Sequence, residues 1–150
     1  MCNTDRLVKK LSMNNLIASD RCYTFHHVCE YKEVYRHDKS NDYSKLNDNI
    51  NLKKKGIYFF SLKDEILYIG CSCSKNEEWG IINRVKQHFI DKDSGSLRCK
   101  LNDKEKVMLE ESSLYYMNIS GDKREVLFLE SLLIGSIKPR FYFLEKLKNN

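Results

Sequence analysis

Gly56-Ile57-Tyr58 and Tyr68-Ile69-Gly70 decide how this chain is read, because each places a tyrosine in a segment of strand character and the turn-like Lys63-Asp64-Glu65 joins them. Strand, tight turn, strand is a hairpin, expected over 56–62 and 65–71. Such a hairpin sets the two tyrosines side by side. Aromatic residues are enriched in strands and pair across them, so the pair alone is commonly packing and assigns no function.

The downstream sequence adds chemistry. Arg84 and His88 stand one helical turn apart in a segment of about 78–91 whose apolar side is Trp79, Ile82, Val85 and Phe89, so both side chains lean toward one face. A second helix is expected at about 96–109 and a third strand over Ser113 to Ile119, where Leu114 and Tyr116 suit a sheet. Helix 122–137 follows, with Asp122 as N-cap and Val126, Leu129, Leu133 and Ile137 on one stripe. It contains Glu130, inside the apolar run Val126 to Ile134. An unpaired carboxylate is costly to bury, so Glu130 needs a partner, a metal or a rim position. Pro139 closes the helix. The fold class expected is α+β, a small central three-stranded antiparallel sheet flanked by helices, with a helical N-terminal extension.

That extension is residues 1–55, expected to pack on the core 56–150 or to contact its ligand. Leu7, Val8, Leu11, Leu16 and Ile17 have helical spacing over 5–18, residues 22–36 read as helix or strand, and the polar run 37–51 reads as loop. A chain of 150 residues is one ordinary domain with room for a core. Its net charge of +5 favours polyanionic partners. Residues 1–55 hold 11 Lys/Arg against 7 Asp/Glu, whereas residues 56–150 hold 15 against 14, so the excess sits ahead of the hairpin.

No stretch has the apolar length of a membrane span, and Met1-Cys2-Asn3-Thr4-Asp5 lacks a basic-then-apolar pattern, so a cytoplasmic protein without membrane partners is expected. The six cysteines are scattered, and reduced thiols without a structural disulfide are expected. Cys22, His26, His27 and Cys29, with His37 beyond, are metal-ligating types, but their spacing is unlike paired C-x-x-C ligand sets. Half-buried thiols and surface imidazoles are the plainer reading. Cys71 and Cys73 read as strand or loop residues, since one intervening residue suits a shared tetrahedral site poorly.

Two tyrosines, then an arginine with a histidine one turn later, then a glutamate in an apolar helix, followed by proline, resemble the GIY-YIG endonuclease family over about residues 56–142. The resemblance implies a metal-dependent DNA endonuclease that hydrolyses phosphodiester bonds. In that reaction a water loses its proton as it attacks, charge gathers on the phosphoryl oxygens, and the departing oxygen needs stabilisation. By resemblance, Tyr58 is the general base or its close partner, with Tyr68 hydrogen-bonding beside it. A free tyrosine titrates near 10, so this role requires a depressed pKa or a neighbouring cation. Arg84 would supply that field while donating to a nonbridging oxygen. His88 would hold a phosphate or relay a proton, and Glu130 would ligate Mg²⁺ or Mn²⁺. Each has a plainer counterpart: Arg84 paired with an acid, His88 as a solvated helix residue, Glu130 capped by a basic neighbour.

Candidate nucleic-acid contacts are Lys53, Lys54, Lys55, Lys75 and Lys86, with Lys9 and Lys10 in the extension. A charge run is often simply solvated. Two features depart from the family pattern. Thirteen residues, Cys71 through Asn83, separate Gly70 from Arg84, and Arg140-Phe141-Tyr142 stands where relatives commonly carry asparagine. The resemblance points to a compact stand-alone nuclease of restriction or phage and mobile-element type, which would pair as a homodimer to cut both strands of a palindrome. The alternative is a nucleic-acid-binding or interaction module on the same scaffold without turnover. A zinc-dependent regulator built on Cys22 and Cys29 is a more distant reading.

Overall fold

A computed structural model of the chain describes residues 24–73 and 80–142. The helix expected over 5–18, and Cys22, Lys75 and Trp79, lie outside these described residues.

The hairpin forms as read, from β2 (Gly56–Leu62) and β3 (Glu65–Ser72), antiparallel. Lys63 takes the left-handed conformation at φ 56°, which closes the short turn between Leu62 and Glu65. A bulge after Phe60 shifts the register, so Tyr58 faces Gly70 and Tyr68 faces Phe60. The tyrosines are therefore diagonal neighbours with ring centroids 6.3 Å apart, not directly opposed.

The sheet has four strands, not the three expected, in the order β1-β4-β2-β3. β4 (Ser113–Asn118) pairs with the other edge of β2, and β1 (His26–Glu30) pairs with β4. β1 comes from the stretch left open between helix and strand. Its own alternation is broken by a bulge between His27 and Cys29, and its register is set by Tyr116, Tyr115 and Leu114 across the ladder. A 3-10 turn at Tyr31–Glu33 follows. The stretch expected as loop carries α1 (Ser44–Asn47) and a 3-10 turn at Ile50–Lys53, which bury Leu46 and Leu52. Residues 24–55 thus supply a strand and core side chains.

The next two helices are shorter than expected, and the last is seen at nearly its expected bounds. α2 (Ile81–Gln87) starts after Gly80, whose α-carbon packs so closely on the Lys53 backbone that a Cβ there would overlap it, and ends at His88. The span expected as one helix at 96–109 splits into a 3-10 turn at Arg98–Lys100 and α3 (Asp103–Glu110). The break falls at Asn102, which caps α3 through a reciprocal box with Glu105. α4 (Lys123–Ile137) begins where Asp122 Oδ1 accepts the Glu125 amide at 3.0 Å.

Strand alternation divides the side chains between two cores. On one face Tyr58, Phe60 and Tyr68 pack with Ile81, Val85 and Phe89. On the other, Val126, Leu129 and Leu133 of α4 pack with Ile57, Phe59 and Ile69. Each such buried aliphatic side chain stabilises by about 1.5–3 kcal/mol. Tyr58 and Glu130 therefore approach β3 from opposite faces. Among the described residues no helix is long and apolar enough to cross a membrane.

Candidate active site

Gly70 is the pivot of the site. A Cβ there would overlap the phenol oxygen and Cζ of Tyr58, so only glycine lets the tip of that ring lie beneath β3. Tyr58 is fully buried and Tyr68 is 5% exposed. The Tyr58 hydroxyl lies 2.8 Å from Nε2 of His88.

The other nitrogen of that imidazole fixes its chemistry. His88 Nδ1 accepts the backbone N–H of Leu97 at 3.0 Å, so Nδ1 carries no proton and the neutral ring holds its hydrogen on Nε2. His88 thus donates to Tyr58, and the phenol proton is directed elsewhere. His88 is 2% exposed, not a solvated helix residue, and both ring nitrogens are engaged. Its pKa falls to about 3, chiefly through burial, with the charges of Arg84 and Lys100 acting in the same direction.

That shift makes a pH prediction. As pH falls from the ordinary value of 6.5 toward 3, the unfolded chain binds a proton on this imidazole and the folded chain does not. The neutral histidine's contribution is therefore fully present above 6.5 and lost on acidification. The stability of wild type, followed by urea denaturation, is expected to fall more steeply with acid than that of His88→Gln, by up to about 1.4 kcal/mol per pH unit. Parallel profiles would contradict the assignment.

His88 is braced from behind by residues that the sequence reading did not single out. Tyr31 donates to the His88 carbonyl at 2.6 Å and stacks on Phe89 at 4.4 Å. The buried guanidinium of Arg98 donates through Nε to Asp91 at 2.8 Å and through Nη1 to Glu110 at 3.2 Å, with its Cζ 3.9 Å from the centre of the Tyr35 ring. Leu97, whose amide sets the tautomer, is the residue before Arg98. The only sequence signal for this brace was an arginine and two tyrosines among apolar neighbours.

Arg84 is exposed on α2, with Nη1 3.4 Å from Oε1 of Gln87. Its charge reaches both His88 and Cys71, since it lowers the pKa of each. Glu130 is half-buried on α4. Burial, and then the charge and hydrogen bond of Glu130, push the Cys71 thiol up, so the carboxylate stands against β3 next to Gly70. The charge of Arg84 is thus felt on both faces of β3, by His88 beside Tyr58 on one and by Cys71 beside Glu130 on the other.

The lysines are more dispersed. The carbonyls of Lys54 and Lys55 accept from Ile81 and Ile119, which holds the Lys53–Lys55 run between the start of α2 and the end of β4. Lys53 and Lys54 are exposed. Lys86 instead places Nζ 5.3 Å above the centre of the Tyr43 ring. After α4, Phe141 is buried, and Arg140 pairs with Glu65 at 2.6 and 2.9 Å in a fork geometry.

The fit of a divalent cation rests on Glu130. Mg²⁺ keeps several waters and is commonly held by one or two carboxylates together with substrate phosphates, so one half-buried acid at this locus suits it. Among the described residues no group of three or more His, Cys, Asp or Glu is placed to hold a metal without such help. His26 and His27 face opposite sides of β1, against the rings of Tyr116 and Tyr115, and Cys29 is buried with its thiol pushed up to about 12, chiefly by desolvation. These three do not converge.

No family model and no curated protein match the chain. Among solved structures it matches the GIY-YIG N-terminal endonuclease domain of UvrC from Thermotoga maritima bound to its catalytic magnesium, at 23% identity and TM-score 0.45, over 65% of this chain and 96% of that one. Point mutants of that domain bound to the divalent cation match alike, a tyrosine-to-phenylalanine form at 23% identity and TM-score 0.44 and an asparagine-to-alanine form at 23% and 0.45, each over 65% of this chain and 94% of that one.

Proposed function

We propose that the chain is a metal-dependent DNA endonuclease of the GIY-YIG type. The observation that carries this reading is the hydrogen-bond chain from the Leu97 amide through His88 to the Tyr58 hydroxyl. A protonated Nε2 aimed at a phenol oxygen favours the phenolate, the form that accepts a proton from an attacking water. His88 on this assignment is a positioning residue. Its Nε2 is already protonated, so it does not take the proton itself.

Arg84, exposed beside this pair, donates to a nonbridging oxygen and adds the cationic field a tyrosine base requires. Tyr68 lines the same face of β3. Glu130 would hold Mg²⁺ or Mn²⁺, which when bound stabilises negative charge on the leaving oxygen. Lys53, Lys54 and Lys55 flank the start of α2 and supply contacts to the DNA backbone, with Lys75 proposed from sequence to join them.

The test is cleavage of supercoiled plasmid and of a short branched DNA with Mg²⁺ or Mn²⁺, comparing wild type with Glu130→Gln. Metal-dependent cutting by wild type, lost by about a hundredfold or more in the variant, is expected, since several kcal/mol of charge stabilisation depend on that ligand. The second reading, a DNA-binding module without turnover, is favoured by the complete burial of Tyr58. Equal DNA binding with no cutting by either protein would establish it.

A further inference from the structure

The outward face of α4 lacks the charge that water-facing helices carry. From Val126 to Ile137 only Glu130 is ionisable. Val126, Leu129 and Leu133 turn toward the sheet, while Arg124, Leu127, Phe128, Ser131 and Gly135 lie on the opposite face and are exposed. Phe128 is 65% and Leu127 40% accessible. A helix apolar on all sides is ordinarily a buried one, so this face calls for a cover that the described residues do not supply. We infer that the cover is a second copy of the chain, α4 against α4, antiparallel about a twofold axis.

Shape favours self-pairing. Phe128 stands beside the small residues Ser131 and Gly135, and a Cβ added at Gly135 would meet no packed neighbour within 4 Å. Turned end for end, one copy sets Phe128 over the small residues of the other, and the twofold repeats the contact with the roles exchanged. Each face thus holds both the knob and the hole.

Charge chooses the orientation and the occupant. With the axis at mid-helix, Asp122 at the start of one α4 comes level with Lys138 at the end of the other. Both are exposed, and neither forms an ion pair among the described residues. Arg124 falls over the last turn of the copy, where the helix dipole is negative. A parallel pair would instead set Arg124 against Arg124 and Lys138 against Lys138. The chain's own residues 5–18 fit less well, because they carry Arg6, Lys9 and Lys10 against Asp5 alone, and Lys123, Arg124 and Lys138 would repel them.

The pairing leaves the candidate site open. Glu130 lies on the flank of α4 against Cys71 of β3, away from the seam. One helical face is smaller than the roughly 800 Å² per partner of a tight interface, so the dimer is reversible and depends on concentration.

The experiment is sedimentation of the full chain in reductant across the micromolar range. The mass of wild type is expected to rise with concentration from 17.8 kDa toward twice that value. Phe128→Glu should weaken association by about tenfold or more, the loss of an aromatic anchor. Gly135→Arg should weaken it as much while keeping or raising the urea midpoint, because arginine favours a helix interior and stands near the negative end of α4. That variant separates a lost interface from a lost fold. Ser131→Cys, close to the axis, should give a covalent dimer with diamide faster than wild type, in which exposed Cys99 serves as the control.

A wild type that stays at 17.8 kDa throughout, or a dimer that survives both Phe128→Glu and Gly135→Arg, overturns the proposal. A monomeric wild type whose urea midpoint falls in Phe128→Glu gives the face to the chain's own extension and overturns it as well. Cross-linking of Ser131→Cys no faster than wild type rules out the antiparallel seam. Nuclease activity enters none of these measurements, so its absence would leave the dimer standing.

Discussion

Tyr58→Phe is expected to slow metal-dependent DNA cleavage by about 10² to 10⁴-fold, the range over which a positioned general base contributes. The ring remains under Gly70 and its contacts with Phe60 and Tyr68 persist, so the loss isolates one oxygen. That oxygen is the acceptor for a buried donor. Its removal leaves His88 Nε2–H without this partner, which costs about 1–3 kcal/mol of stability. Cleavage should therefore be assayed well below the variant's unfolding midpoint, with DNA affinity measured alongside. Unchanged affinity with lost turnover is the expected pattern. Turnover within tenfold of wild type would remove Tyr58 from the proton transfer and leave the His88 contact as packing.

Arg98→Met is expected to destabilise the fold by about 3 kcal/mol, near the lower end for breaking a buried ion pair, because Asp91 and Glu110 keep some access to water. Arg98 is 4% exposed and meets two carboxylates and the Tyr35 ring at once. Met fills much of the volume but leaves both acids without their cation. Although burial alone would raise it, the hydrogen bond and charge of Arg98 hold the Asp91 carboxyl below its ordinary range, and this hold disappears in the variant. Arg98→Lys should not restore stability, since a single ammonium cannot reproduce the fork and the ring stacking. Denaturant midpoints read both variants, and a loss under 1 kcal/mol would show that the cluster contributes little. Cleavage is expected to fall as well, because Leu97 and its tautomer-setting amide precede Arg98 on the same short turn.

What was legible in the sequence was local. The hairpin follows from two apolar runs and a turn, and α4 from a capping aspartate ahead of a helical stripe, so both are seen at nearly the expected bounds. β1 was not legible, because its partner strand lies more than eighty residues away and its bulge erases the alternation that would mark it. The apolar run around Glu130 left a partner, a metal or a rim position open for its carboxylate. A single surface helix buries one stripe, so Leu127 and Phe128 are exposed and Glu130 sits at the margin.

The candidate site divides in the same way. Tyr58, His88, Arg84 and Glu130 were named by residue type and order, and the structure brings them around one end of β3. The state of His88 was hidden, because the group that sets it is the Leu97 main-chain amide, and every non-proline residue has one. Likewise the role of Tyr31 depends on a carbonyl 57 residues away.

The Tyr31 contact means that the segment with the signature residues is not a portable cassette. A fragment begun at Gly56 would lack the strand that covers the outer edge of β4, and the bared ladder would invite pairing between copies. It would also lack the hydroxyl that pins the turn carrying His88. Grafting this site onto another scaffold therefore means transplanting the upstream strand and its 3-10 turn together with the hairpin.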